Sequence, residues 1–266
     1  MRLNLFIYSK MRFVLLVFLL SFALQASVNG EDVVRLPQES NLINSVSRDQ
    51  RSDKLDPKVI QLASSQNGSP DGNQSASMTS LNNFINFCSS KEALSAKLTN
   101  GTQSPDEITC NPIPMGMIVP LKNAPSCRFQ QPKNFDKLKA DTAFKMILKI
   151  KNLETGSFVN PKTNYFSAPQ VLSKKTHNVI GHAHVVAQKI KSLTSTEVLR
   201  PDKFEFFKGI DVSTDEDGYS SVILEKGLPA GAYRVSTLLS AANHQPILAG
   251  VAQRGAFDDV IYFTVE

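Results

Sequence analysis

From Ala143 onward the chain alternates. Phe144, Met146, Leu148 and Ile150 stand between Lys145, Ile147, Lys149 and Lys151, a period of two that predicts a strand with one buried and one mostly solvated face. Further short strands are expected at Tyr165–Ser167, Ala183–Lys189, Phe204–Phe207, Ser220–Glu225, Tyr233–Ser240, Ile247–Ala252 and Val260–Val265. Turn chemistry separates them at Asn160-Pro161, Asp217-Gly218, Pro229–Gly231 and Gly255. Seven or eight strands with no long helix between them predict an all-β domain over residues 135–266, an antiparallel immunoglobulin-like β-sandwich. The run Leu228–Tyr233 fits the corner that leads into a late strand of such domains, where a Tyr hydroxyl bonds back to the backbone.

Upstream the pattern changes. Leu81, Phe84, Ile85 and Cys88 stand at i, i+3, i+4 and i+7, which predicts a short helix capped by Thr79 or Ser80. Residues 111–134 hold Pro112, Pro114, Pro120, Pro125 and Pro132 and are expected to be extended and irregular, so 80–134 is a helix plus a Pro-rich segment. Residues 31–79 show no sustained period. Their stretch Ser64–Ser80 is almost wholly polar, with Met78 its one large apolar side chain, too little to offset chain entropy. A disordered linker or pro-region is expected there.

The first thirty residues read differently again. A basic stretch with Arg2, Lys10 and Arg12 precedes an apolar run, Phe13–Leu24, broken only by Ser21; the small residues Ala26, Ser27 and Gly30 follow. That is the order of a secretory signal peptide over residues 1–30, too short in its apolar part for the roughly 20 residues of a membrane span. No later stretch reaches that length, and no membrane anchor is expected after cleavage. Removing the segment leaves 26 basic against 24 acidic side chains, a net charge of +2 rather than +5. A nucleic-acid partner, which needs a strong basic excess on one face, is thereby excluded.

Export also changes the reading of the cysteines. Cys88, Cys110 and Cys127 allow one bridge and one free thiol; Cys88–Cys110, closing a polar loop, is the expected pair. The sequons at Asn67, Asn73 and Asn100 lie in polar segments where a glycan could project.

Candidate chemistry centres on Gly181-His-Ala-His184 and His244. Residues two apart on a strand face one side, so His182 and His184 present both imidazoles together; His244, from the loop 241–246, could complete a three-nitrogen site for zinc or copper. Asp258 and Asp259 are candidate ligand or supporting carboxylates, and the plain alternative is a pair of polar residues hydrogen-bonded to backbone at a strand's entrance. His177 lies in a Lys-rich turn and is expected in solvent. Asp211, Asp215, Glu216 and Asp217 read as an exposed acidic turn, and Phe204, Phe206 and Phe207 as core. No Gly-x-Ser-x-Gly elbow, Walker loop, dinucleotide fingerprint or His-Glu-x-x-His motif is present.

Several segments together resemble an uncharacterised family of small secreted proteins of filamentous fungi, some of whose members carry a ribosomal-protein label. They are Asn83–Cys88, Cys110–Gly116, Asn152–Asn160, Asn164–Gln170, Gly181–Val186, Phe206–Gly209, Leu228–Tyr233 and Ala242–Pro246, within about residues 80–266. The resemblance implies a fungal extracellular protein, a Cys88–Cys110 pairing and no established enzymatic activity. A ribosomal role is untenable for an exported chain of net +2. The expected function is therefore that of a secreted, non-catalytic protein acting on an unidentified component of the cell wall or host interface, a candidate effector. The alternatives are a copper- or zinc-binding secreted protein or enzyme centred on the three histidines, and a self-assembling wall protein whose hydrophobic strands Phe144–Ile150 and Val260–Val265 recruit further strands.

Overall fold

The alternating segments pair into mixed β-sheets. The computed structural model describes residue 50 and residues 52–68, 70, 72 and 74–266; the expected signal peptide and residues 31–49 lie outside these, as does Asn73. The chain divides into Met1–Val59 and Ile60–Glu266. In the first unit the described residues include one 3₁₀ turn, Pro57–Val59.

The second unit contains eleven strands among its described residues. They are β1 (Lys97–Leu98), β2 (Thr109–Cys110), β3 (Ser126–Gln131), β4 (Lys137–Leu138), β5 (Phe144–Lys151), β6 (Leu153–Glu154), β7 (Val179–Ile190), β8 (Phe206–Ile210), β9 (Tyr219–Leu224), β10 (Gly231–Ala241) and β11 (Val260–Val265). One sheet is ordered β3-β5-β9. A second runs β4-β11-β10-β7-β6, with β8 also paired to β7, and β1-β2 form a separate ribbon.

Alternation sets which faces meet. Met146, Leu148 and Ile150 of β5, Val222 and Leu224 of β9, Ala183, Val185 and Ala187 of β7, Tyr233 and Val235 of β10, and Ile261, Phe263 and Val265 of β11 join one buried cluster fed by both sheets. Phe144 meets Phe263 edge to face, with centroids 6.2 Å apart. Each Val, Leu, Ile, Met or Phe of the cluster contributes about 1.5–3 kcal/mol by leaving water, the alanines less. The tyrosine expected at the corner is there: fully buried Tyr233 donates its hydroxyl proton to the Pro229 carbonyl at 2.8 Å. Tyr233→Phe leaves that carbonyl unpartnered and is expected to cost about 1–3 kcal/mol in urea unfolding; an unchanged midpoint would show that the corner bond holds nothing.

The fold is all-β, with several departures from expectation. The pairing is not purely antiparallel, since β4 lies parallel to β11, β6 to β7 and β1 to β2. No α-helix forms over residues 81–88. Ser80 Oγ accepts from the amides of Asn82 and Phe84, as a cap should, but Asn83 and Phe84 then turn left-handed (φ 53° and 59°) and only a 3₁₀ turn, Phe87–Ser89, follows. Three asparagines in six residues offer the backbone local alternatives to a helical ladder. Leu81 is left 84% exposed, while the Cys88–Cys110 disulfide is formed.

Tyr165–Ser167 and Ile247–Ala252 are loops, the latter carrying only a single bridge, from Ala249, whereas Ser126–Gln131, inside the Pro-rich run, is a strand paired to β5. Finally, neither strand offered for self-assembly is an open edge: β5 lies between β3 and β9, and β11 between β10 and the 134–138 segment, where Phe135 donates to the Tyr262 carbonyl. The polar stretch before Ser80 also bends back on itself, through Ser80 N–H to Ser64 O at 2.7 Å and Ser77 N–H to Asn67 O at 2.9 Å.

Candidate metal centre

The site grows from the pairing of β7 with β10. Odd-numbered residues of β7 fill the core, so His182 and His184 point to the opposite face, opposite Ser240 and Leu238. Gly181, before them, faces Ala241 in register. At this point β10 ends and the chain reverses: Ala241 O accepts from His244 N–H at 2.8 Å, and Ala241 N–H donates to Gln245 O at 3.1 Å. The reversal holds His244 in the left-handed region (φ 72°), where histidine is among the few tolerated residues. Its imidazole folds back over the strand. Ring centroids lie 4.6 Å from His244 to His182, 4.7 Å from His182 to His184 and 5.9 Å from His184 to His244.

A histidine on an outer sheet face would normally sit in water, yet His182 is only 2% exposed. The segment between β6 and β7 covers it. Ser157 N–H donates to Gly181 O, Val159 N–H to Ala242 O and Phe166 N–H to Asn243 O, at 3.2, 2.9 and 3.1 Å. These bonds lay residues 157–166 across the strand ends, with the Phe158 ring against His182 and the Tyr165 ring against His244.

The hydrogen bonds set the free nitrogens. His182 Nδ1 lies 3.2 Å from Ser157 O, and His184 Nδ1 lies 3.3 Å from Leu238 O. A carbonyl only accepts, so both Nδ1 atoms carry the proton and both Nε2 atoms keep a free lone pair. His182 Nε2 and His244 Nδ1 are buried with no partner. Orphaned buried polar atoms are costly, at about 1–3 kcal/mol each. One nitrogen from each ring lies within 4.8 Å of the others. An ion bound tetrahedrally at about 2.0–2.1 Å would draw them closer by small ring rotations.

Asp258 reaches the cluster at one remove. Its Oδ1 accepts from Leu239 N–H at 2.7 Å, and the other end of that same peptide is the Leu238 carbonyl bonded to His184. The carboxylate thus polarises the peptide that fixes the His184 tautomer, the way outer partners raise a ligand's basicity. Asp258→Asn keeps the acceptor and loses the charge; metal affinity should fall about 10- to 100-fold in a competitive chelator titration, with the unfolding midpoint little changed. Asp259 is turned elsewhere, accepting from Phe129 N–H at 2.9 Å.

Electrostatics keep the rings neutral. His182 is pushed down to about 4, by burial first and then by the His184 and His244 imidazoles. His184 and His244 are lowered too, chiefly by burial. The unfolded chain takes the His182 proton near 6.5 and the native one only near 4, so metal-free protein loses stability as pH falls through that window. The loss should reach about 2–3 kcal/mol and be absent above pH 6.5. Unfolding midpoints measured from pH 7 to 4 check this, and an identical acid slope in His182→Ala would refute it.

The remaining candidates lie elsewhere. Asn67 and Asn100 are exposed, as is His177, and Asp215 closes its turn by accepting from Asp217 and Tyr219 amides. Cys127 is free; its thiol sits 3.2 Å from Thr237 Oγ1, and burial pushes it up to about 11, which keeps it protonated and unreactive. Of the three phenylalanines read as core, only Phe206 packs there; Phe204 and Phe207 are 51% and 47% exposed. No helix among the described residues is long and apolar enough to cross a membrane.

The chain is similar to Pathogenicity cluster 5 protein d of Colletotrichum graminicola (strain M1.001 / M2 / FGSC 10212), 43% identical over 212 residues, or 79% of this chain. It spans only 43% of that protein's length. The model of the CLU5d N-terminal domain matches residues 127–266, more than half of the chain and all three histidines of the cluster, and the chain belongs to that family.

Proposed function

We propose that this is an extracellular fungal protein with a role in pathogenicity, acting at the cell wall or host interface and holding one copper or zinc ion on His182, His184 and His244. The observation that carries the metal is the pair of buried, unpartnered nitrogens, His182 Nε2 and His244 Nδ1, on rings that each bring a nitrogen within 4.8 Å of one from the other and of one from His184. A polar pair merely anchored to backbone would need only the two Nδ1 bonds. Imidazole suits copper and zinc alike, and neutral rings do not have to lose a proton to bind. The name of the Colletotrichum relative supports the pathogenicity role, and the leader-like residues 1–30 support export. An immunoglobulin-like sandwich is the fold that goes with this reading, supported by the strand orders β3-β5-β9 and β8-β7-β10-β11 and by the Tyr233 corner.

The test is metal analysis of the purified chain after loading with copper or zinc and desalting. About one equivalent is expected for a three-nitrogen site; less than about a tenth for both metals would end the metal reading. Recovery of the chain inside the mycelium rather than in culture fluid would end the extracellular one.

A further inference from the structure

The three imidazoles do not close the site. His182 forms a buried floor, while His184 and His244 are part-exposed walls of a cleft of about 270 Å³ that also meets Phe158, Pro161 and Phe207. The opening depends on β8. Its outward position facing His184 is Gly209, where a Cβ would stand 3.6 Å from His184 Cδ2, so a larger side chain there would fill the space before the ring. Phe207, the next outward residue, has its ring 5.1 Å from His184 and is 47% exposed; Phe158 is 47% exposed with its ring 5.9 Å from His182. Phe204 stands 5.9 Å behind Phe207. Large rings held half in water around one opening serve no core and are the usual mark of a binding surface.

Charge narrows the occupant. Among the described residues the cluster holds three neutral nitrogens and no fourth member, which leaves a bound ion one exchangeable position; Asp211 and Lys208, of opposite charge, also line the cleft and offset each other. A partly buried dication favours an anionic donor there. Resting on the metal reading above, we infer that the centre takes a flat aromatic molecule bearing an anionic oxygen, such as a phenolate. Its oxygen occupies the open position and its ring lies against Phe158 and Phe207. On binding, the ion's water departs and the phenol's proton goes to solvent, so no redox partner is needed.

The probes are azide and 4-nitrocatechol, added to the copper-loaded full chain after gel filtration and followed by visible absorption. Both should bind. Phe207→Ala should weaken 4-nitrocatechol about 2- to 10-fold and leave azide unchanged, and Phe158→Ala should do the same. Gly209→Leu should retain copper and lose both ligands. Copper bound without any azide response would overturn the open position, and equal 4-nitrocatechol affinity in wild type and both Phe variants would overturn the aromatic walls. Failure to bind copper at all is a separate result that removes the metal reading itself.

Discussion

In His182→Ala, affinity for copper or zinc should fall by well over 100-fold, beyond the 10- to 100-fold attached to partners outside the ligand set. His182 is the hub of the cluster: its ring lies 4.7 and 4.6 Å from the other two, which are themselves 5.9 Å apart. Without it two part-exposed imidazoles remain, and two neutral nitrogens hold a dication weakly against water. Metal-free stability should move little, because two effects oppose. Truncation opens a cavity, while removal of a buried nitrogen without a partner relieves about 1–3 kcal/mol of desolvation. The signature is therefore a lost response. At 100 times the dissociation constant, metal stabilises the native chain by about 2.7 kcal/mol, and in His182→Ala the melting temperature should not rise with metal. A full rise in the variant would place the ion elsewhere.

The pairing of His182 with His184 was legible from period two alone, because spacing on a strand fixes the face. The burial of His182 was not. It arises from residues 157–166 crossing the strand ends, where the sequence predicts a strand at Tyr165–Ser167. Instead Phe166 is left-handed (φ 56°) and its ring stacks on Tyr165 at 4.0 Å. Nothing local marks that crossing; its bonds run to Gly181, Ala242 and Asn243, far along the chain. Strand Ser126–Gln131 was hidden for a different reason. Prolines bracket it and only Phe129 of its six residues is buried, so the alternation that reveals β5 is missing. The Phe204–Phe207 run misled because apolar content says nothing about direction. Once β8 pairs with β7, its pleat sends Phe206 to the core and Phe207 outward.

Gly181→Ala should damage fold and site together, which His182→Ala does not. The backbone at Gly181 is ordinary extended chain, so the constraint is contact alone. A Cβ there would stand 2.0 Å from Ser240 O and 3.0 Å from the Ala241 Cα. Both are backbone atoms of the paired strand and cannot swing aside as a side-chain end can. β7 and β10 must then part where Ile180 O accepts from Ala242 N–H and Gly181 O accepts from Ser157 N–H, the bonds that seat the His244 turn and the covering segment. Overpacking of this kind costs about 1–3 kcal/mol and occasionally more; with backbone as the obstacle, the upper end or beyond is expected. Metal affinity should fall with it, since His182 moves relative to His244. Gly209→Ala is the matched control, its added carbon resting at an ordinary 3.6 Å from His184 Cδ2, and it should stay within about 0.5 kcal/mol of wild type. Urea unfolding and a metal titration on both variants decide the matter. If Gly181→Ala unfolds at the wild-type midpoint yet loses metal, the glycine serves the site alone, and the close approach of β7 to β10 is not what the fold requires.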